Sequence, residues 1–240
     1  MRYVRFSTQS EIKKGILISD TEISCDNKIY PLKEVKLLAP CVPKKVIAIG
    51  LNYADHAREM KMELPEEPTV FLKANSSVIG PEESIVYPEM SSQVDYEAEL
   101  AIVIKDRIKN VSAEEAEQHI LGYTCANDVT ARDLQKKDGQ WIRAKSFDTF
   151  CPLGPWIETE LDTSNLKIQL LLNGEVKQSS STKELIFSPS AIVSFLSQIM
   201  TLEAEDVILT GTPSGIGPMQ RGDKVEVAIE GIGVLCNNIK

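Results

Sequence analysis

Residues 95–104 read Asp95-Tyr96-Glu97-Ala98-Glu99-Leu100-Ala101-Ile102-Val103-Ile104, an apolar run that carries carboxylates into its first half. The pattern predicts a β-strand and commits the chain to building a sheet around it. Side chains on a strand alternate between faces, so Glu97 and Glu99 fall on the same face. Two ionised carboxylates held that close repel unless a cation stands nearby. A hard divalent ion answers the problem, because Mg²⁺, Mn²⁺ and Ca²⁺ prefer carboxylate oxygens. A third candidate ligand is Asp128 in Cys125-Ala126-Asn127-Asp128-Val129-Thr130, a strand running into a turn. The bland alternative is an amphipathic strand with both glutamates in water.

The pattern on either side of this strand sets the fold class. Residues 1–42 form a weakly apolar module of short strands, such as 15–18 and 22–25, and Pro40-Cys41-Val42-Pro43 marks a domain boundary. The main body, 43–240, opens with a buried strand at 45–50. A short helix at 52–62 follows, which the prolines at 65 and 68 stop, and then a strand at 69–73. Ser112 and Glu115 form a capping box for a helix over 112–120. Asn173-Gly174, at the end of the strand-like run 166–172, signals a hairpin. A helix spans 189–200, and strands lie at 207–210 and 224–229. Strands outnumber helices and no β-α-β rhythm repeats, so the expected class is a β-rich α+β fold rather than a doubly wound sheet.

Composition excludes more than it identifies. At 240 residues, 42% hydrophobic and 25% charged, the chain has the make-up of an ordinary globular protein. A net charge of −9 argues against a general nucleic-acid binder. No stretch approaches the roughly 20 apolar residues of a membrane span, and residues 1–6 lack the apolar core of a signal peptide. Cysteines at positions 25, 41, 125, 151 and 236 contain no Cys-x-x-Cys pair and are odd in number. They suit a reduced, cytoplasmic protein better than a disulfide framework or a zinc site. The sequons at Asn75 and Asn110 read as chance matches.

Several polar residues could carry chemistry. His56 and Glu59 stand three apart on the expected short helix, where side chains are neighbours. A carboxylate beside an imidazole fixes its tautomer and raises its basicity, as a general base requires. A surface ion pair has the same spacing. His119, in a glutamate-rich helix, reads as a solvated residue. Arg132 and Gln135 follow Asp128 on one helix face, and Arg grips carboxylates through two donors. Lys145 adds a second cation. Each of these charges, taken alone, reads as an exposed one. Gly211-Thr212-Pro213-Ser214-Gly215-Ile216-Gly217 lacks the Gly-Lys-Ser/Thr ending of a phosphate loop, so it reads either as a plain turn or as a turn offering N–H groups and the Thr212 hydroxyl to an anion.

Taken in order, the motifs resemble those of the fumarylacetoacetate hydrolase family over about residues 45–240. They are Gly50-Leu51-Asn52-Tyr53 with His56 and Glu59; Phe71-Leu72-Lys73; Asp95-Tyr96-Glu97-x-Glu99-Leu100; and Gly122-Tyr123-Thr124. Asn127-Asp128-Val129-Thr130-Ala131-Arg132-Asp133-Leu134-Gln135, Lys145-Ser146-Phe147-Asp148 and Leu209-Thr210-Gly211-Thr212-Pro213-Ser214-Gly215 complete the set. The resemblance implies a mixed β-roll preceded by a small N-terminal β domain, and a homodimer. It implies that Glu97, Glu99 and Asp128 bind one Mg²⁺ or Mn²⁺ with Lys145 beside it, and that Arg132, Gln135, Thr212 and Lys73 contact the substrate. The His56–Glu59 pair looks like the dyad of the acylpyruvase branch, carried on a helix that closes as a lid. The loop after Lys73 departs from the pattern, since many relatives carry Pro where Ala74-Asn75-Ser76 stand here.

The implied chemistry is metal-assisted formation of an enolate from a small 2-oxo acid. The leading expectation is a hydrolase that cleaves a C–C bond in acylpyruvates through a metal-chelated pyruvate enolate, with oxaloacetate decarboxylation as a further activity. The alternative is an isomerase or tautomerase of oxaloacetate or of a 2-hydroxy-diene dicarboxylate. A non-catalytic 2-oxo-acid-binding protein is the third reading.

Overall fold

A computed structural model describes residues Met1–Lys240. The fold is strand-rich α+β, and no helix is long and apolar enough to cross a membrane. Its largest sheet has twelve strands. At the centre, Ala98–Ile104 pairs antiparallel with Ile120–Asn127 on one side and Val207–Leu209 on the other. Val46–Ile49 runs parallel to Val207–Leu209, and Val70–Lys73 closes that edge. A five-stranded sheet, including Lys167–Leu172, Glu175–Ser181, Lys224–Ile229 and Gly233–Ile239, packs against the large one. The Asn173-Gly174 hairpin forms as expected: both residues have positive φ, 54° and 82°, which a two-residue turn between twisted strands requires.

The central strand explains why the sheets stack. Leu100, Ile102 and Ile104 enter the main core with Ile168, Leu170, Val225 and Val227 of the second sheet. Ala101 and Val103, on the opposite face, join a second core with Val46, Ala48, Val207 and Leu209. Burying Leu100, Ile102 and Ile104 contributes roughly 5–9 kcal/mol in all, enough to hold a strand that also draws Glu99 into the interior.

The Asp95–Ile104 run is two strands, not one. Val94–Tyr96 belongs to a separate three-stranded sheet with Thr130–Ala131 and Gly217–Met219, whereas Ala98–Ile104 belongs to the large sheet. The chain switches sheets at Glu97.

Residues at the N-terminus build a meander, Arg2–Ser7, Ile12–Ser19, Glu22–Cys25 and Lys28–Pro31, with a small core of Val4, Phe6, Leu17, Ile23 and Cys25. Their sheet is continuous with the large one, because Arg2–Ser7 pairs with Cys151–Glu158.

The helices are short. α1 (Ala54–Met60) ends at Lys61, which is left-handed at φ 55°, so the helix stops before the prolines expected to end it. α2 (Ala113–Ala116) carries the expected capping box of Ser112 and Glu115. α3 (Arg132–Asp138) and α4 (Ile142–Lys145) follow the three-stranded sheet. α5 (Pro189–Ile199), capped by Ser188, buries Ile192, Val193 and Leu196 in the main core.

Candidate metal centre and active site

The sheet switch creates the site. Ala98 pairs with Asn127 in the large sheet, and Asp95 pairs with Thr130 in the small one. Glu97 and Asp128 occupy the gap between those two pairs, one on each of the paired segments. Two side chains take backbone N–H groups at the gap: Glu97 N–H donates to Asn127 Oδ1 at 2.9 Å and Ala98 N–H to Gln178 Oε1 at 2.9 Å, while Asp128 N–H keeps a backbone bond to Glu97 O at 2.9 Å. Glu99 reaches the same place from the end of the central strand. The three carboxylates are buried, and their ligand oxygens lie within 4.8 Å of one another.

Cations surround two of the three. Lys145 Nζ donates to Glu97 Oε2 at 2.9 Å and to Asp128 Oδ2 at 2.6 Å. Arg132 donates to Asp95 Oδ2 at 2.8 Å, to Gln135 Oε1 at 2.6 Å and to Glu97 Oε1. Burial alone would raise the Glu97 carboxyl, but Lys145 and Arg132 outweigh it and hold the group down at about 2. Burial alone would likewise lower the Lys145 ammonium, but Asp128 and Glu97 outweigh it and raise the group, so Lys145 stays charged.

Glu99 has no such partner. Its one hydrogen bond comes from Gly211 N–H, at 2.6 Å, and no cation lies within ion-pair distance. Burial, then the charges of Asp128 and Glu97, push its carboxyl well above the usual carboxylate range. A buried carboxylate with uncompensated charge, facing two more in an all-oxygen donor set, fits a hard divalent cation.

The carboxylates form the floor of a cleft of about 330 Å³, whose wall includes His56, Arg132, Gln135, Lys145 and Thr212. His56 Nδ1 lies 2.9 Å from Glu59 Oε2, so the spacing of three on α1 brings the two side chains into contact. Glu59 also accepts from Gly215 N–H at 3.1 Å, which ties α1 to the glycine-rich loop. The Thr212 hydroxyl oxygen accepts from Gln178 Nε2 at 2.8 Å, which leaves its own proton free to donate into the cleft.

Lys73 departs from its expected role as a substrate contact. Its side chain is wholly buried behind Asp128, donating to Asp128 Oδ1 at 2.5 Å and to Val129 O at 3.2 Å. Lys73 therefore stands outside the cleft and positions a carboxylate. Asp128 lies ahead of α3, so the gap between the sheets, rather than a shared helix face, brings it near Arg132 and Gln135.

The model of the fumarylacetoacetate (FAA) hydrolase C-terminal domain matches residues 45–240. The chain belongs to the fumarylacetoacetate hydrolase family. A second family model, described as Rv2993c-like, N-terminal, matches residues 1–40. Among curated relatives, a protein of Archaeoglobus fulgidus is 54% identical over 97% of this chain and 94% of its own length. The bovine mitochondrial oxaloacetate tautomerase FAHD2A is 44% identical over 88% of this chain and 71% of its own. Among solved structures, the 5-carboxymethyl-2-hydroxymuconate delta-isomerase of Mycobacterium smegmatis superposes with a TM-score of 0.94 at 46% identity, covering 100% of this chain and 98% of that one.

Within this family member, some supporting residues escape a reading of the sequence. Gln178 and Asn127 hold the backbone open beside Glu97 although they look like ordinary strand residues. Lys136 also lines the cleft. The signal for it is its spacing of four from Arg132, which puts both on one face of α3.

Gly211 has a structural reason to be glycine. Its φ is 97°, and a Cβ there would stand 2.9 Å from Asn52 Cβ and 3.1 Å from Gly50 O. Gly211→Ala is expected to destabilise the fold by about 1 kcal/mol or more and to weaken divalent-metal binding, because the Gly211 N–H is pulled off Glu99. Thermal melts and a metal titration of the variant check both effects. Unchanged metal affinity would show that this hydrogen bond does not position Glu99.

Proposed function

We propose that this enzyme catalyses keto–enol tautomerisation or double-bond isomerisation of a small 2-oxo acid, such as oxaloacetate or a 2-hydroxy-diene dicarboxylate. The observation that carries the reading is that His56, held by Glu59, and the three-carboxylate centre line one cleft. Held by Glu97, Glu99 and Asp128, a divalent ion supplies Lewis acidity toward the 2-oxo group when it is bound. Glu59 on Nδ1 leaves Nε2 of His56 as the nitrogen that exchanges a proton with carbon. One proton leaves the carbon next to the ketone and one joins the oxygen, so the reaction needs no co-reactant. Lys145, held charged, bridges Glu97 and Asp128 by donating a hydrogen bond to each. The names of the bovine and M. smegmatis relatives support tautomerase or isomerase chemistry.

Acylpyruvate hydrolysis, with oxaloacetate decarboxylation, is the second reading. The same dyad favours it, since His56 Nε2 can serve as a base toward water as well as toward carbon. A panel assay with added Mg²⁺ or Mn²⁺ separates the two. Enol absorbance decays without pyruvate or CO₂ if the tautomerase reading holds, whereas acetylpyruvate yields pyruvate if the hydrolase does. Turnover of none of them, with tight oxalate binding, would leave a 2-oxo-acid-binding protein.

A further inference from the structure

Four basic side chains stand in the wall of the cleft: His56, Arg132, Lys136 and Lys145. Three are committed. Lys145 is bound to Glu97 and Asp128, Arg132 to Asp95, Glu97 and Gln135, and His56 to Glu59. Lys136 pairs with nothing. It is exposed on α3, and no carboxylate of the protein comes within ion-pair distance of it. The only acidic residues in the cleft wall are Glu97, Glu99 and Asp128, all three in the candidate metal centre. Much of the remaining wall is apolar, including Met60, Met62, Phe71, Trp141 and Ile216.

A ligand whose 2-oxo-acid head sits at the carboxylate centre therefore meets one uncommitted charge, and it is positive. Helical spacing sets that charge one turn from Arg132 and next to Gln135, on the face of α3 that lines the cleft.

We propose that Lys136 is a specificity-determining residue that receives the distal carboxylate of a dicarboxylic 2-oxo acid. The inference rests on the proposed reading that the site takes a 2-oxo acid at its metal centre, and it adds the residue that selects for a second carboxylate. Monocarboxylic 2-oxo acids place no charge near Lys136. Dicarboxylic ones gain a charge-assisted hydrogen bond at the cleft wall.

Binding of two unreactive ligands to the full-length protein with Mg²⁺ tests this. Oxamate and N-oxalylglycine share an oxo-acid head, and only the second carries a distal carboxylate. The wild type is expected to prefer N-oxalylglycine, and Lys136→Met is expected to lower that preference about tenfold. Lys136→Arg restores most of it. Lys137→Met, one residue along and outside the cleft wall, leaves the preference as it was. Rising salt erodes the preference in the wild type but not in Lys136→Met. A wild-type preference that survives Lys136→Met, or a wild type with no preference, overturns the inference. Calorimetry reads all of this without turnover. A Lys136-dependent preference in a protein that tautomerises nothing would therefore remove the proposed reaction and keep the proposed subsite, whereas failure of both ligands to bind would remove both.

Discussion

Replacing Glu99 with glutamine is expected to stabilise the metal-free protein and, at the same time, to remove most of its affinity for divalent metal. Glutamine keeps the size of the side chain and an oxygen for the Gly211 N–H, and it removes the one buried charge that no cation answers. The folded protein holds a proton on Glu99 more tightly than the unfolded chain does, because burial and the neighbouring Asp128 and Glu97 raise its carboxyl. Where the native state binds more protons than the unfolded state, stability falls as pH rises. The metal-free wild type therefore loses stability from the ordinary carboxylate range upward, until the raised group ionises. Glu99→Gln does not suffer this loss. Relief of this kind at functional sites is commonly worth about 0.5–2 kcal/mol, a shift of a few degrees in Tm for a chain of this size. Metal acts in the opposite direction: Mg²⁺ should raise the Tm of the wild type by mass action and leave the variant nearly unmoved. Loss of a partner that merely orients a ligand costs about 10–100-fold in metal affinity, so loss of a ligand itself should cost at least that much. Melts in chelator and in Mg²⁺, from about pH 5 to about pH 8, read both halves. A metal-free variant that melts below the wild type, or that gains as much from Mg²⁺, would show that Glu99 is not the uncompensated ligand.

How far the sequence discloses this site depends on the range over which each feature is determined. The apolar run over residues 98–104 is local, and so is the positive-φ turn at Asn173-Gly174; both are legible, and both form. The same holds for the spacing of His56 and Glu59, which places them in contact on one short helix. The break at Glu97 is not legible, because the alternation runs straight through it. It is imposed by Asn127, 30 residues from Glu97, and Gln178, 80 residues from Ala98, whose side chains take the backbone N–H groups that a longer ladder would have used. Lys73 misleads for a related reason. A lysine at the end of a strand normally reaches solvent, but Val70–Lys73 is turned so that Lys73 points inward, where the Asp128 carboxylate makes its burial tolerable. Lys136 is overlooked because Lys136-Lys137-Asp138 has the look of a solvated helix end. Only the cleft beside it gives that charge a direction.

His56→Ala should remove most of the catalytic activity and leave the metal centre intact, the reverse of what distinguishes Glu99→Gln. A positioned general base contributes about 10²–10⁴-fold to a proton transfer, and a loss of that size in kcat is expected for enol–keto exchange. His56 makes no hydrogen bond to Glu97, Glu99 or Asp128, so Mg²⁺ affinity should stay within about twofold, since well-separated sites behave nearly additively. The two residues of the dyad should not behave alike. Glu59 orients the imidazole and also accepts from Gly215 N–H, so Glu59→Gln keeps a side chain that can still do both, and it should cost less than loss of the imidazole. Added imidazole should recover part of the activity of His56→Ala, because the cavity left by the side chain opens onto the cleft. Recovery should leave Glu99→Gln untouched, since its defect lies in the metal centre. Steady-state rates with and without imidazole, alongside a metal titration of each variant, separate these outcomes. Wild-type turnover in His56→Ala would move the proton-transfer role elsewhere in the cleft. Loss of metal binding in that variant would mean that α1 also shapes the carboxylate centre.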